Sequence, residues 1–246
     1  RRWHPGYGVQ LADAPEYDGL KGYQDGTVDP AYAARQRPLV EGIRALLVAT
    51  LGRPANLGCF GLHEWAMVYR SDASAPTGAM NALRHAWPLR LGGEATDTVV
   101  EGHRVGCSHF DAFRFFTEPA RPLNVLQPGR EDRVSFEQPG CLHAGMDLYK
   151  HAFRLSPLIP SELVADAFEL AWDIRVLDMR AAPYDFTGVV LEPSGEPWTP
   201  VRIETPEGKS AYAAAQRGFS ERARPIRERL VAECDRICGK RASEFS

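Results

Sequence analysis

Three histidines lie far apart in the chain, and each has a carboxylate close by in the sequence. Imidazole and carboxylate groups together can ligate a divalent metal ion or move protons. A histidine taken alone is more often a hydrogen-bonded core residue, but three such pairs favour a metal centre or an acid–base pair assembled between helices. The pairs are His63 with Glu64, His109 with Asp111, and His143 with Asp147.

The pair formed by His143 and Asp147 has the most definite spacing. A helix predicted over about 141–155 places the two side chains one turn apart on one face. There they can bind a metal together, or the carboxylate can orient the imidazole. A hydrogen bond that only stabilises the helix is the structural alternative. Gly140 and Gly145 leave room for a close neighbour, which favours the functional interpretation.

Asp173 is a further candidate for catalysis, and it belongs to the longest predicted helix, from about 162 to 180. Its sequence neighbours over 170–177 are mostly apolar. A carboxylate in apolar surroundings is normally paired or raised in pKa, as a catalytic acid or base requires. Arg175 offers a competing salt bridge. We expect Asp173 to converge with His63 and His143 on one pocket. Further candidate carboxylates are Asp178 and Asp185.

Bulky aromatic residues occur close to all of these segments. Packing in the core is the default role for such side chains, but an aromatic ring beside a pocket can also stack on a planar base. The candidates for stacking are Trp65, Phe113 and Trp172.

The pattern of apolar residues and helix breakers predicts a mainly α fold, with a few short strands and long irregular loops. Further helices are expected over 31–51, interrupted near Pro38, and from about 206 to 238, with a break at Pro225. The β-branched stretch 98–105 is predicted as a strand.

The whole chain, residues 1–246, is predicted to be one compact domain. Residues 1–30 are rich in glycine, proline, aspartate and tyrosine, which is typical of an irregular arm. Because the sequence starts without methionine inside such a loop, we expect that an upstream segment is missing.

Charge and cysteine content limit the classes of partner. The net charge of −3 gives no overall positive field for nucleic acid. The five cysteines are an odd number without paired spacing, which favours free thiols and a cytoplasmic protein. No apolar stretch approaches the roughly 20 residues of a membrane span, so no membrane is expected as a partner. The oligomeric state is left open.

Several common motifs are missing from the sequence. It contains no glycine-rich phosphate loop, no dinucleotide fingerprint, no GxSxG elbow, no HExxH and no paired CxxC. These absences argue against nucleotide-dependent transferases, dehydrogenases and serine hydrolases.

Five blocks of the sequence resemble a bacterial family commonly labelled 3-methyladenine DNA glycosylase. The similarity covers nearly the whole chain, up to about Cys234. The resemblance implies a hydrolase that cleaves the N-glycosidic bond of an alkylated purine in damaged DNA, without a cofactor. The blocks are residues 2–6, 58–70, 108–116, 139–150 and 171–180.

The chemistry of glycosidic cleavage assigns roles to the candidates found above. A carboxylate must stabilise the developing oxocarbenium charge and activate water, and Asp173 or Asp147 is expected to do so. His143 is expected to carry or orient the proton, and Arg175 to contact the substrate. A local basic patch on the last helix, formed by Arg222, Arg224, Arg227 and Arg229, is expected to contact DNA.

Two alternatives stay open at this point. The first is a metal-dependent helical enzyme, an oxidoreductase or a hydrolase, that acts on a small molecule and holds iron, manganese or zinc. The second is a non-catalytic interaction module. Under the first alternative, the metal ligands come from His63, Glu64, His109, His143, Asp147 and Asp173.

Overall fold

The computed structural model describes residues 3–71, 87–191 and 194–240. Of these described residues, 53% are helical and only 5% are in strands, so the prediction of a mainly α fold is confirmed. The parts of the predicted single domain outside the described residues are 1–2, 72–86, 192–193 and 241–246. The helices are α1 (Pro30–Leu51), α2 (Leu62–Ala66), α3 (Gly93–Glu101), α4 (Phe110–Phe113), α5 (Arg133–Phe136), α6 (Leu142–Leu155), α7 (Ser161–Ala181) and α8 (Pro206–Ile237).

Two antiparallel pairs of very short strands accompany the helices. In the first, β1 (Tyr23–Gln24) pairs with β2 (Thr27–Val28), so the predicted irregular arm contains a small hairpin. In the second, β3 (Val190–Leu191) pairs with β4 (Glu196–Pro197).

The longest helices, α1 and α8, begin with the expected capping chemistry. The Asp29 carboxylate accepts hydrogen bonds from the Ala31 and Tyr32 amides at 2.8 and 3.1 Å. The Thr205 hydroxyl accepts one from the Gly208 amide at 3.1 Å. In both helices a proline follows the cap, where no amide hydrogen is needed.

The main core lies where α1, α6, α7 and α8 pack on one another. Helices α6 and α7 approach closely at Gly145, where an added Cβ would lie 2.7 Å from Cδ1 of Ile174. The ion pair of Arg44 with the buried Asp235, at 2.5 Å between Nε and Oδ1, joins α1 to α8. The close approach at Gly145 packs α6 tightly against α7, and these two helices carry much of the candidate site.

Arg227 on α8 is an unusual member of this interior. Its side chain is only 1% exposed, and its Nε and Nη1 have no hydrogen-bond partner. Burial lowers the pKa of Arg227 to about 10.

Three expectations about individual elements are wrong. Helices α1 and α8 run through Pro38 and Pro225 without a break, because packing between long helices outweighs one missing hydrogen bond. The first half of the predicted strand 98–105, residues 98–101, belongs to α3, whose Thr96 and Val100 face the core. Helix propensity differs by less than about 1 kcal/mol per residue among such residues, so tertiary packing decides.

Within the described residues, no helix combines the length and the apolar character needed to cross a bilayer. All five cysteines are free thiols.

Candidate functional site

His63 enters the core on the short helix α2. Two residues with left-handed backbone conformation, Phe60 at φ 48° and Gly61 at φ 72°, turn the chain into this helix. Glycine adopts such a conformation without steric cost. The His63 ring is almost completely buried, and its Nδ1 lies 3.6 Å from Sγ of Cys59. Its Nε2, on the opposite side of the ring, is therefore the nitrogen that can contact a carboxylate or a metal ion.

The carboxylate beside His63 belongs to Asp178, in the last turn of α7. Its Oδ1 lies 2.9 Å from Nε2 of His63, and its Oδ2 accepts a hydrogen bond from Nη1 of Arg175 at 2.7 Å. The same Nη1 lies 3.3 Å from Oε1 of Glu64. Both carboxylates are buried, whereas the Arg175 side chain is 39% exposed. Arg175 thus connects the buried acids to the protein surface.

His143, in the first turn of α6, lies between His63 and a second buried histidine, His109. Its ring centroid is 4.6 Å from that of His63, with the planes nearly perpendicular, and 5.3 Å from that of His109. His143 is partly buried. Three potential ligand atoms, one each from His63, His143 and Asp178, lie within 4.8 Å of one another. We call these three residues the first group.

Burial and charge set the protonation of the first group. Burial lowers the pKa of His63, but the Asp178 charge more than offsets it, so this pKa lies well above its usual value. Burial, together with the charge of His63, lowers the pKa of His143 well below the usual value. Burial raises the pKa of Asp178, but His63 holds it below its ordinary range. A neutral His143 offers a lone pair, whereas His63 must release a proton to ligate a metal.

A second group consists of His109, Glu137 and Asp147, whose ligand atoms also lie within 4.8 Å of one another. Nε2 of His109 is 3.3 Å from Oε1 of Glu137 and 3.3 Å from Oδ2 of Asp147. The His109 side chain is fully buried, and the two carboxylates are 3% and 14% exposed. The two groups are adjacent, because the His143 ring of the first lies beside the His109 ring of the second.

Hydrogen bonds to the backbone hold the loops of the second group. The Asn124 side chain bonds both the amide and the carbonyl of Cys107, at 2.7 and 2.9 Å, and this fixes the chain just before His109. The carbonyl of Glu137 accepts a hydrogen bond from Arg53 at 2.9 Å. These hydrogen bonds fix the two irregular segments that carry His109 and Glu137.

Two cations lie on the outer side of the second group. Nε of Arg133 is 2.5 Å from Oε1 of Glu137, and its Nη2 is 2.7 Å from Oδ2 of Asp147. Lys150 lies 2.5 Å from the same Asp147 oxygen and 3.1 Å from Asp111. Burial raises the pKa of Asp147, but His109, 3.3 Å away, and the Lys150 charge hold it well below the usual value. Asp147 is therefore ionised, as a metal ligand must be.

Both groups have the donor types and spacing of a metal site. Two ligands of one ion, each bound at about 2.1 Å, lie about 3.0 Å apart at an octahedral angle and about 3.4 Å apart at a tetrahedral angle. The separations of 2.9 and 3.3 Å match these values. Nε2 of His63, Oδ1 of Asp178 and both ring nitrogens of His109 are buried without a hydrogen bond of good geometry. Such atoms are costly unless something binds them.

Asp173 does not belong to this cluster, so its predicted convergence with His63 and His143 is wrong. Its side chain is 47% exposed and pairs with Arg222 at 2.7 Å. On a helix, sequence neighbours diverge by about 100° each, so Ile174 faces the core while Asp173 faces solvent. Asp178 lies about 140° further round the helix than Asp173, and that offset takes it into the interior.

The predicted substrate contacts are scattered. Trp65 is fully buried, donates a hydrogen bond to the Ala181 carbonyl at 2.9 Å, and is part of the core rather than a stacking surface. Trp172 is 50% exposed. Phe113 is partly buried and packs edge-to-face on Phe116. Among the substrate candidates, Arg175 alone contacts the first group.

Sequence reasoning gave Asp178 less weight than Asp173 and missed Glu137 altogether. A helical wheel drawn from the apolar residues of α7 would have favoured Asp178, because the core-facing Ile174 lies one turn before it. Glu137 follows the four-residue helix α5 and precedes Gln138. Nothing periodic marks it, and only the folded loop brings it to His109.

Searches of protein-family models, curated proteins and solved structures find no match for this chain. Its function is therefore inferred from the two side-chain groups.

Proposed function

We propose that this protein is a metal-dependent enzyme acting on a small molecule, with His63, His143 and Asp178 as ligands of the metal. One observation carries the proposal: two histidines and a carboxylate from three different helices bring their donor atoms within 4.8 Å of one another in the interior. Burying two histidines and a carboxylate costs desolvation free energy, and a bound ion would add to the compensation that Arg175 gives Asp178.

The number of ligands favours a catalytic ion over a structural one. Structural zinc sites use four protein ligands, whereas catalytic sites use three and keep a position open. Two histidines and one carboxylate occur both in zinc hydrolases and in non-haem iron oxygenases. When bound, such an ion activates water or oxygen.

The side chains around the first group support the same proposal. Cys59 contacts the outer nitrogen of His63, which orients the ring. Arg175 holds Asp178 and Glu64 in place from the side nearer the surface. Substrate access is expected beside His143, the only partly buried member of the group.

A small molecule is favoured over DNA because the arginines expected to contact phosphate are engaged elsewhere. Arg222 pairs with Asp173, Arg224 with Glu228, and Arg229 with Asp166, while Arg227 is buried. The cleavage of an alkylated purine stays a prediction from the family resemblance, and Asp173, one of the carboxylates chosen for it, is exposed and pairs with Arg222.

Elemental analysis of protein purified without chelator tests the proposal. We expect iron, manganese or zinc in a stoichiometric amount, its loss in the His63→Gln and Asp178→Asn variants, and its retention in Asp173→Asn, whose carboxylate is exposed. Folded wild-type protein that contains no metal and takes up none of these ions would overturn the proposal.

A second candidate function follows from the contacts of Cys59. Its thiol lies 3.6 Å from Nδ1 of His63, whose Nε2 lies 2.9 Å from Asp178. A thiol, an imidazole and a carboxylate in this order form the nucleophile, base and orienting group of cysteine hydrolases. This function requires the same His63 without a metal.

Inactivation experiments distinguish the two candidates. A metal centre predicts activity that a chelator abolishes and that survives in Cys59→Ser. Thiol catalysis predicts insensitivity to chelator, stoichiometric labelling of Cys59 by iodoacetamide and loss of activity in Cys59→Ser. If neither metal binding nor selective labelling is found, the interaction module is favoured.

A further inference from the structure

We propose that His109, Glu137 and Asp147 bind a second metal ion next to the first, so that the centre is dinuclear. This inference rests on the proposed function, which requires only the ion at the first group. The second group is separate from the first, since it draws its ligand atoms from α6, the start of α4 and the loop after α5.

The histidine of the second group is placed as a ligand rather than as a hydrogen-bond donor. Its Nε2 is equally distant, at 3.3 Å, from one oxygen of Glu137 and one of Asp147, yet it makes no hydrogen bond of good geometry with either. An ion in line with the Nε2 lone pair of His109 could bind this nitrogen and the two carboxylate oxygens at about 2.1 Å each. Ligand atoms of such an ion lie about 3.3 Å apart at angles close to tetrahedral.

The cations around the second group lie on its outer side. Glu137, Asp147 and Asp111 supply three negative charges, and Arg133, Lys150 and Arg114 supply three positive charges. These cations come from the outer side, where Arg133 is 21% and Lys150 37% exposed, whereas His109 is fully buried. They leave the inner side of the carboxylates, towards His109, to the ion.

Helix α6 connects the two groups. It supplies His143 to the first and Asp147 to the second, one turn apart, so that the two side chains lie about 5–6 Å from each other at Cβ. The His143 ring also lies between the rings of His63 and His109. Adjacent ions stabilise both the attacking and the leaving oxygen of a hydrolysis reaction. A dinuclear centre would therefore suit a hydrolase.

The experiment loads chelator-treated, full-length protein with Mn²⁺ alone and measures bound metal and its electron paramagnetic resonance spectrum. We expect two ions per chain and a spectrum of exchange-coupled Mn²⁺. We expect one ion in Glu137→Gln, with an uncoupled spectrum, and two in the control Glu228→Gln, whose carboxylate pairs with Arg224 away from the site. Circular dichroism checks folding.

The outcomes separate the two proposals. One uncoupled ion in wild-type protein, lost in Asp178→Asn and kept in Glu137→Gln, overturns the second ion and leaves the proposed function intact. No ion in wild-type protein overturns both. Should Glu137→Gln fail to fold, the wild-type stoichiometry and coupling still decide, because two uncoupled ions would also overturn a dinuclear centre.

Discussion

Asp178 carries a negative charge where a charge is costly. It is fully buried, and it lies in the last turn of α7, where the helix dipole disfavours an anion. Neither packing nor helix stability accounts for a carboxylate there. The residues that compensate it are His63 and Arg175, and both belong to the candidate site. This placement is typical of a residue kept for chemistry.

Replacing Asp178 by asparagine keeps the volume and removes the charge. We expect Asp178→Asn to lose the ion of the first group, and the free energy of unfolding to fall by about 1.5–3 kcal/mol. The pair with Arg175 adds little to this loss, because water screens the partly exposed guanidinium. Urea denaturation followed by circular dichroism measures it.

Asp173→Asn, five residues earlier on the same helix, is the matched control. Its exposed pair with Arg222 predicts a change within about 0.5 kcal/mol and full metal content. Equal losses in the two variants would contradict the distinction between these carboxylates.

At the scale of elements, the site depends on how closely α6 approaches α7. An added methyl group at Gly145 would meet Ile174, a core residue that is 1% exposed. We expect Gly145→Ala to lower the free energy of unfolding by about 1–3 kcal/mol through overpacking, and to weaken metal binding, because His143 and Asp178 move apart. Thermal denaturation and metal titration measure the two effects.

Gly218→Ala provides the opposite case. Gly218 lies within α8, and an added Cβ there has no neighbour within 4 Å. Alanine is the better helix former by about 1 kcal/mol, so this variant should be more stable than wild type. If Gly145→Ala were stabilised as well, the α6–α7 contact would have space for the added methyl group, and the prediction of overpacking would be wrong.

The sequence predicts helices better than it predicts which residues meet. The caps at Asp29 and Thr205 and the apolar periodicity of α6 identify long helices, because these signals are local. The misassignment of 98–105 arose because β-branched residues are only weakly unfavourable in a helix, and the burial of Val100 decides. Glu137 could not be identified, since its role depends on a loop whose path is set by Arg53, far away in the sequence.

At the scale of the molecule, the proposed metal site would couple metal binding to folding. The residues of the first group come from α2, α6 and α7, so a bound ion would hold three helices together and would bind only to the folded chain. An ion present at 100 times its dissociation constant stabilises the fold by about 2.7 kcal/mol. We expect a chelator to lower the melting temperature and Mn²⁺ or Zn²⁺ to restore it. A melting temperature that does not respond to either treatment would contradict the metal centre.

The distribution of charge over the molecule predicts weak binding to DNA. The net charge is −3, and Arg222, Arg224 and Arg229 of α8 are paired with carboxylates. We expect no measurable binding to duplex DNA at about 50 mM salt, with or without an alkylated base. Fluorescence anisotropy tests this. Binding that is tighter to the damaged duplex and falls steeply with salt would instead support the glycosylase predicted from the family resemblance.

The burial of Trp65 has an optical consequence. Trp65 follows Glu64 directly and is fully buried. The four other tryptophans are all exposed to water at least in part: Trp3, Trp87, Trp172 and Trp198. Iodide therefore quenches the emission of those four and leaves the blue-shifted light of Trp65. We expect a paramagnetic or visibly absorbing ion bound at His63, two residues away, to quench that remaining emission. The fluorescence of Trp65 would then report whether the proposed metal site is occupied, without an assay of activity.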